Sequence, residues 1–251
     1  MRVTGERATT SAGGFNPTWQ RHVAAYSLCA SLLPEGKLLD IGCGVGHSFE
    51  LLAPRETVGL DIDPEVLAGQ DRETRAGDMR ALPFPDASFS AVLSVQALEH
   101  VPDPYRALKE AHRVLEPSGV AIFVTPNRFT FGLPDEIVDP YHHVEFGPAE
   151  LRTACEAAFE RVELHGIFGS DRYLGLAEAE RVELERLMRW DPLRLRRGVP
   201  RTLKKLLYDL GLRWRRRADD PRAAAIQPTD FTLGNSPLRD CLDLVAICRA
   251  S

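Results

Sequence analysis

The sequence predicts an α/β fold: a mainly parallel sheet covered by helices on both faces. Three observations carry that expectation. An apolar strand runs into a glycine-rich turn and then an apolar helical stretch at Lys37 to Ala53, KLLDIGCGVGHSFELLA. Strand-like and helix-like segments then alternate through Thr125. A chain of 251 residues can also bury roughly 70 to 75% of its unfolded surface in one core, without metal or disulfide staples. Its five cysteines, Cys29, Cys43, Cys155, Cys241 and Cys248, are scattered and form no C-x-x-C pair, which points to a reducing compartment and away from a zinc site. There is no apolar run of about 18 residues, and MRVTGERATTSAGG lacks the apolar centre of a secretion signal, so a cytoplasmic location is expected.

Taken in order, Asn16 followed by Pro17 signals a helix start, and Trp19, Val23 and Tyr26 give that helix an apolar face. Leu38, Leu39 and Ile41 read as a short buried strand, after which Gly42, Gly44 and Gly46 fall at every second position. Glycine accepts positive φ cheaply and lets a ligand approach the backbone. A helix opening near His47 is expected to aim its free N–H groups at that ligand. The spacing is D-x-G-x-G-x-G from Asp40 to Gly46, not the G-x-G-x-x-G of dinucleotide sites, and no lysine follows as a P-loop requires. A second strand, Thr57 to Leu60, ends in Asp61, where a carboxylate can accept two ribose hydroxyl bonds or cap the helix expected at Pro64. Residues 126–147 form a long loop holding Pro126, Pro134, Pro140, His142 and His143. Helix is then expected from Pro148 through Phe159, with strands at Val162 to Phe168 and Leu242 to Cys248.

Four blocks, LDIGCGVG, VGLDIDPEVL, GDMRALPFPDASFSAVLSVQALEHV and RVLEPSGVAIFVTPN, resemble in order those of the class I S-adenosylmethionine-dependent methyltransferases. The resemblance implies a Rossmann-like, seven-stranded, mainly parallel sheet whose last antiparallel pair is here interrupted by a basic helical insertion. The implied organisation is one domain over residues 1–251: an arm and helix at 1–36, a cofactor-binding core at 37–169, the insertion at 170–239 and the last strand at 240–251. It implies S-adenosyl-L-methionine as cofactor, with Gly42, Gly44 and Gly46 along its methionine and ribose part and Asp40 orienting the turn or reaching the amino group. Asp61 would bind the ribose, Ile62 would cover an adenine face, and Asp78 with Met79 would meet the adenine. Gln96 would lie by the methionine portion, and Arg21 would pair with the carboxylate.

Methyl transfer is an in-line displacement, so alignment of the acceptor dominates, and an alcohol acceptor also needs a base. Histidine is the side chain whose ordinary pKa suits that work near neutral pH. His142 is the first candidate, with Glu145 orienting it or joining a metal site. His143 lies beside it, His100 competes from the segment after the fourth strand, and each can equally be a hydrogen-bonded structural histidine. VTGER, WQRH, FVTPNRFTF, DPYHHVEF and DCLDLVAI are together similar to actinobacterial sugar O-methyltransferases of the methylglucose lipopolysaccharide type. That similarity implies a saccharide or lipid-linked glycan acceptor and brings Mg²⁺ into consideration. Methylation at N or C of a secondary metabolite or quinone, and a non-catalytic cofactor-binding subunit, are the competing readings. A nicotinamide oxidoreductase could use Tyr105 and Lys109 as a Y-x-x-x-K pair, but the glycine spacing is wrong and the pair falls on a surface helix.

From Arg181 to Arg217 thirteen Lys or Arg face four Asp or Glu, a local balance of +9 that leaves −14 for the remainder of a chain at −5. Leu203, Leu206, Leu207, Leu210 and Trp214 recur there at helical spacing, with Lys204, Lys205, Arg213, Arg215, Arg216 and Arg217 off the stripe. One expectation is a lid helix that packs its apolar stripe on the catalytic domain. The other is peripheral membrane contact, or contact with a lipid-linked acceptor, through residues 201–217. An overall pI near 5.8 and the lack of an aromatic platform argue against nucleic acid. Nothing in the sequence fixes the oligomeric state.

Overall fold

The computed structural model describes residues 15–131, 137, 139–188, 199–215, 220–235 and 237–250. The VTGER segment, Pro134, Arg216 and Arg217 lie outside them, as do the side chains of Arg213, Trp214 and Arg215. The helices are α1 (Asn16–Ala30), α2 (Phe49–Leu52), α3 (Pro64–Leu67), α4 (Pro104–Val114), α5 (Pro148–Glu156), α6 (Asp171–Met188), α7 (Arg201–Arg215) and α8 (Pro221–Ala224). The strands are β1 (Leu38–Ile41), β2 (Thr57–Asp61), β3 (Thr74–Ala76), β4 (Phe89–Val95), β5 (Leu115–Pro126), β6 (Arg161–Gly169), β7 (Phe231–Gly234) and β8 (Asp243–Arg249).

One sheet orders them β3-β2-β1-β4-β5-β8-β6-β7. The first five strands pair in parallel, and β8 then runs antiparallel between β5 and β6. Among the described residues the sheet has eight strands where seven are expected from the sequence. The extra one is β7, which pairs antiparallel with β6 at the sheet edge. It was hidden because FTLG is too short to show a strand period and lies within the segment read as helical.

The period-two geometry of strands divides the core. In β1, Leu39 and Ile41 join the cluster under α4 and α5, whereas Leu38 joins the one under α1. Asp40 thereby points to the α1 side and is fully buried. The helix expected after the glycine turn is a single turn, Phe49–Leu52. Pro54 explains the correction: its ring and missing N–H forbid a helix through that position. No extended helix dipole therefore faces the turn.

Candidate functional site

The order of strands reverses direction between β1 and β4, and such a switch point opens a crevice at the carboxyl ends of the strands. A cavity lies there, lined by Gly42, Cys43, Gly44, Val45, Asp61, Ile62, Asp78, Met79, Gln96 and His100, among others. Gly42, Gly44 and Gly46 all adopt positive φ, at 76°, 54° and 80°. A Cβ on Gly42 would sit 2.5 Å from that of Ala97, so this position demands glycine twice over. Asp61 secures the turn through Oδ2, which accepts the Gly44 N–H at 3.0 Å, and through Oδ1, which accepts the Asp63 N–H at 2.9 Å. The cap of α3 is Asp63, whose carboxylate accepts the Glu65 N–H. Gln70 closes the turn from the other side by donating to the Gly44 carbonyl at 2.8 Å.

Asp40 does not line the cavity. Its carboxylate accepts from Tyr26 Oη at 3.1 Å, Ser48 Oγ at 2.8 Å and the Arg72 guanidinium at 3.1 Å, tying α1 and the α3–β3 loop to the turn. Gly46 is also outside the lining and packs against Gln70. Arg21, expected to meet the cofactor carboxylate, is instead held bidentately by buried Asp243. It also donates to the Leu242 carbonyl at 2.8 Å, so its guanidinium anchors α1 to β8. Gln96 Nε2 donates to the same Asp243 at 2.9 Å. Asp78 lines the cavity with its carboxylate engaged by Arg80 at 2.6 Å, and that hydrogen bond holds it below the ordinary carboxylate range. Ile62 stands 65% exposed at the cavity rim, while Met79 is buried.

The lining also includes His22 and Tyr26 from α1 and His47 from the turn, of which Tyr26 and His47 were not anticipated as contacts. His47 has both ring nitrogens buried without a hydrogen-bond partner among the described residues, and its ring contacts those of Trp19, His22 and Tyr26. Burial lowers the pKa of His22 to about 3 and also lowers that of His47. Both imidazoles are neutral at neutral pH. A cavity walled by neutral rings and carboxylates suits a ligand that carries positive charge, and the orphaned His47 nitrogens offer it polar contacts.

His142 stands one layer behind this cavity. The loop after β5 is docked on the short 3-10 turn Leu98–His100, where the Glu99 carbonyl accepts the His143 N–H at 2.8 Å. That places the His142 and His100 rings 5.0 Å apart, centre to centre. His142 is 8% exposed, and its Nδ1 lies 3.0 Å from Oε1 of buried Glu145. Burial alone would lower its pKa, but the Glu145 hydrogen bond and the charges of Glu99, Asp139 and Glu145 outweigh that effect and raise it. His143 is different: it is exposed beside Arg201 at 3.3 Å, and desolvation with the nearby cations lowers its pKa. Glu99, which the sequence reading missed, is 1% exposed and accepts from Thr125 Oγ1 at 3.2 Å. Burial pushes its carboxyl up to about 7.

The ligand atoms of Glu99, His100 and His142 lie within 4.8 Å of one another. Two imidazoles and one carboxylate are a poor match for Mg²⁺, a hard ion that prefers oxygen, and a better one for a borderline metal. Glu145 is not part of that cluster. Tyr105 and Lys109 are exposed on α4, away from the lining residues.

A Rossmann-like sheet, a glycine turn held by an acid at the end of β2 and a cavity at the switch point define an α/β protein that binds a nucleotide-like cofactor. A family described as a methyltransferase domain matches residues 39–123. A probable S-adenosylmethionine-dependent methyltransferase of Mycolicibacterium smegmatis is 32% identical over 259 aligned positions, covering 98% of this chain and 94% of the relative. Another of that description, from Mycobacterium tuberculosis, is 33% identical over 181 residues, 68% of this chain and 66% of the relative. Among solved structures, a methyltransferase of Thermotoga maritima described as a possible histamine N-methyltransferase superposes with a TM-score of 0.62. It covers 94% of this chain and 93% of its own at 17% identity, and so speaks for the fold alone. The chain belongs to the S-adenosylmethionine-dependent methyltransferases, and S-adenosylmethionine is its cofactor.

Proposed function

We propose that this enzyme methylates a hydroxyl of a small-molecule acceptor, a saccharide or lipid-linked glycan, with His142 as general base. The observation that carries this reading is the buried His142–Glu145 pair at 3.0 Å, set behind a cavity-lining histidine. Glu145 occupies Nδ1 and fixes the ring, which leaves Nε2 to take the acceptor proton. The cofactor supplies an electrophilic methyl group on a sulfonium. With that group bound, the His142 imidazole would accept the proton of the acceptor hydroxyl as its oxygen is methylated.

In the same reading Asp61 holds the ribose, Asp78 and Met79 receive the adenine, and Ile62 covers one of its faces. Gly42 and Gly44 give the methionine and ribose part close access to the backbone, with Gln96, His22, His47 and Tyr26 around the sulfonium end. His100, at the boundary between cavity and base, orients the acceptor. Asp40, Gly46 and Arg21 support the turn and α1 from behind.

Purified protein incubated with methyl-labelled cofactor and a panel of sugars, glycolipids, quinones and phenols tests the acceptor class. Label appearing on a sugar oxygen supports the reading, and label on a quinone carbon or an amine nitrogen overturns it. His142→Ala should then lower turnover by about 10²-fold or more, as for a lost general base, with cofactor affinity retained. Full turnover in that variant removes His142 from the role.

A further inference from the structure

Helix α7 packs the opposite way round from the lid expectation. Its polar face is the inner one: Asp209 is 6% exposed and accepts from Tyr141 Oη at 2.8 Å. Arg201 donates to the carbonyls of Pro140 at 2.9 Å, Tyr141 at 3.3 Å and His142 at 3.2 Å. Lys205 lies over the Tyr141 ring at 4.3 Å. The leucine row expected to face the core points outward instead. Leu203, Leu206, Leu207 and Leu210 are 45%, 45%, 56% and 52% exposed, an i, i+3, i+4, i+7 stripe along two turns.

The charge pattern selects what such a row meets. The helix carries five cations, Arg201, Lys204, Lys205, Arg213 and Arg215, and a single acid. That acid, Asp209, is the residue buried against Tyr141, so no acid of α7 shares the outer face with the leucines. An outward apolar stripe on a helix whose five cations outnumber its single acid matches an anionic lipid surface, where leucines enter the headgroup boundary. An ordinary protein partner would be expected to find acid as well as base on the helix facing it.

We propose that α7 is an interfacial helix that docks this enzyme on an anionic membrane surface through its outward leucine row. The inner face of the same helix holds the carbonyls of residues 140–142, so docking sets the His142 loop close to the lipid plane. The proposal concerns binding and holds whichever acceptor is methylated.

Sedimentation of the full chain with vesicles tests it, comparing phosphatidylglycerol-containing with pure phosphatidylcholine vesicles at low and high salt. Binding to the anionic vesicles that weakens with salt is expected. Leu206→Ser with Leu207→Ser should weaken it about tenfold or more, because two apolar side chains lose their burial. Both positions are exposed, and unchanged cofactor affinity will show that the variant is folded. No binding, or equal binding to both vesicle types, overturns the proposal. So does concentration-dependent dimerisation that the double variant abolishes, which would give the leucine row to a second copy of the chain.

Discussion

At the scale of single residues, what the sequence showed and what it hid divide by the distance over which partners meet. Gly42, Gly44 and Asp61 are legible because their roles arise within one strand-turn-strand segment and a fixed spacing. Arg21 was misread because its partner, Asp243, lies 222 positions away, and only the pairing of β5 with β8 brings that carboxylate alongside α1. Glu99 was missed for a similar reason: in LEHV it reads as an ordinary surface acid until the loop after β5 closes over it. The His142 environment makes a testable statement about pH. A general base works when neutral, and the His142 pKa is raised, so turnover should climb with pH above the ordinary value of 6.5 before it levels off. Glu145→Gln removes a hydrogen-bonded charge that favours the protonated ring, and the acidic limb of the kcat/KM profile should move to lower pH. Glu99 titrates in the same region, so Glu99→Gln serves as the control that separates the two groups. If Glu145→Gln lowers the rate without moving the limb, Glu145 is a packing residue and the pairing has no part in tuning the base.

At the scale of elements, the turn after β1 is the best-defined piece, and its fixity is built from side chains of five segments. Asp40 below, Ser48 and Tyr26 at its sides, Gln70 and Arg72 from the α3–β3 loop and Asp61 from β2 together fix a backbone that visits positive φ three times. None of that support is periodic, which is why the sequence displays the glycines but not what holds them. Gly42→Ala should cost about 1–2 kcal/mol for the left-handed backbone. A further cost of about 1–3 kcal/mol should come from the Cβ pressed against Ala97. Urea unfolding measures the sum, and adding Ala97→Gly should restore the second part only. If the double variant is no more stable than Gly42→Ala alone, the clash is relieved by backbone movement and the turn is softer than its hydrogen bonds suggest. The helices α2 and α7 teach the complementary lesson. The apolar run after the glycine turn predicts a helix opening near His47, and Pro54 limits it to one turn. Of the two expectations for the leucine stripe, the one that packs it on the catalytic domain fails, since the inward Asp209 and Arg201 contacts put the stripe on the outside, and periodicity states that a helix has two faces and not which one is buried.

At the scale of the whole molecule, the parallel half of the sheet follows from buried apolar strands alternating with short helices, whereas the antiparallel half, with edge strand β7, depends on long-range pairing. The same long-range closure buries ionisable rings between α1 and the sheet, and their titration sets how the molecule responds to acid. The folded-state pKa of His22 is about 3 and the ordinary value is 6.5, so between these the unfolded chain binds more protons than the folded one. Stability supplied by the neutral ring is therefore intact above pH 6.5 and is lost progressively as the pH falls toward 3. His47, shifted in the same direction, adds to the loss. His142 has the opposite sign: its raised pKa gives stability that is full below 6.5 and fades as the pH rises through the folded value. Urea midpoints of the ligand-free protein should accordingly fall from pH 6.5 to 4, and His22→Gln, which cannot charge, should flatten that decline. Protonating His22 and His47 would also place positive charge beside a sulfonium, so cofactor affinity should weaken over the same interval, more than the loss of stability alone would give. A decline as steep in His22→Gln as in the parent would transfer the acid sensitivity to the buried carboxylates, and an affinity independent of pH would remove both rings from the sulfonium end of the cavity.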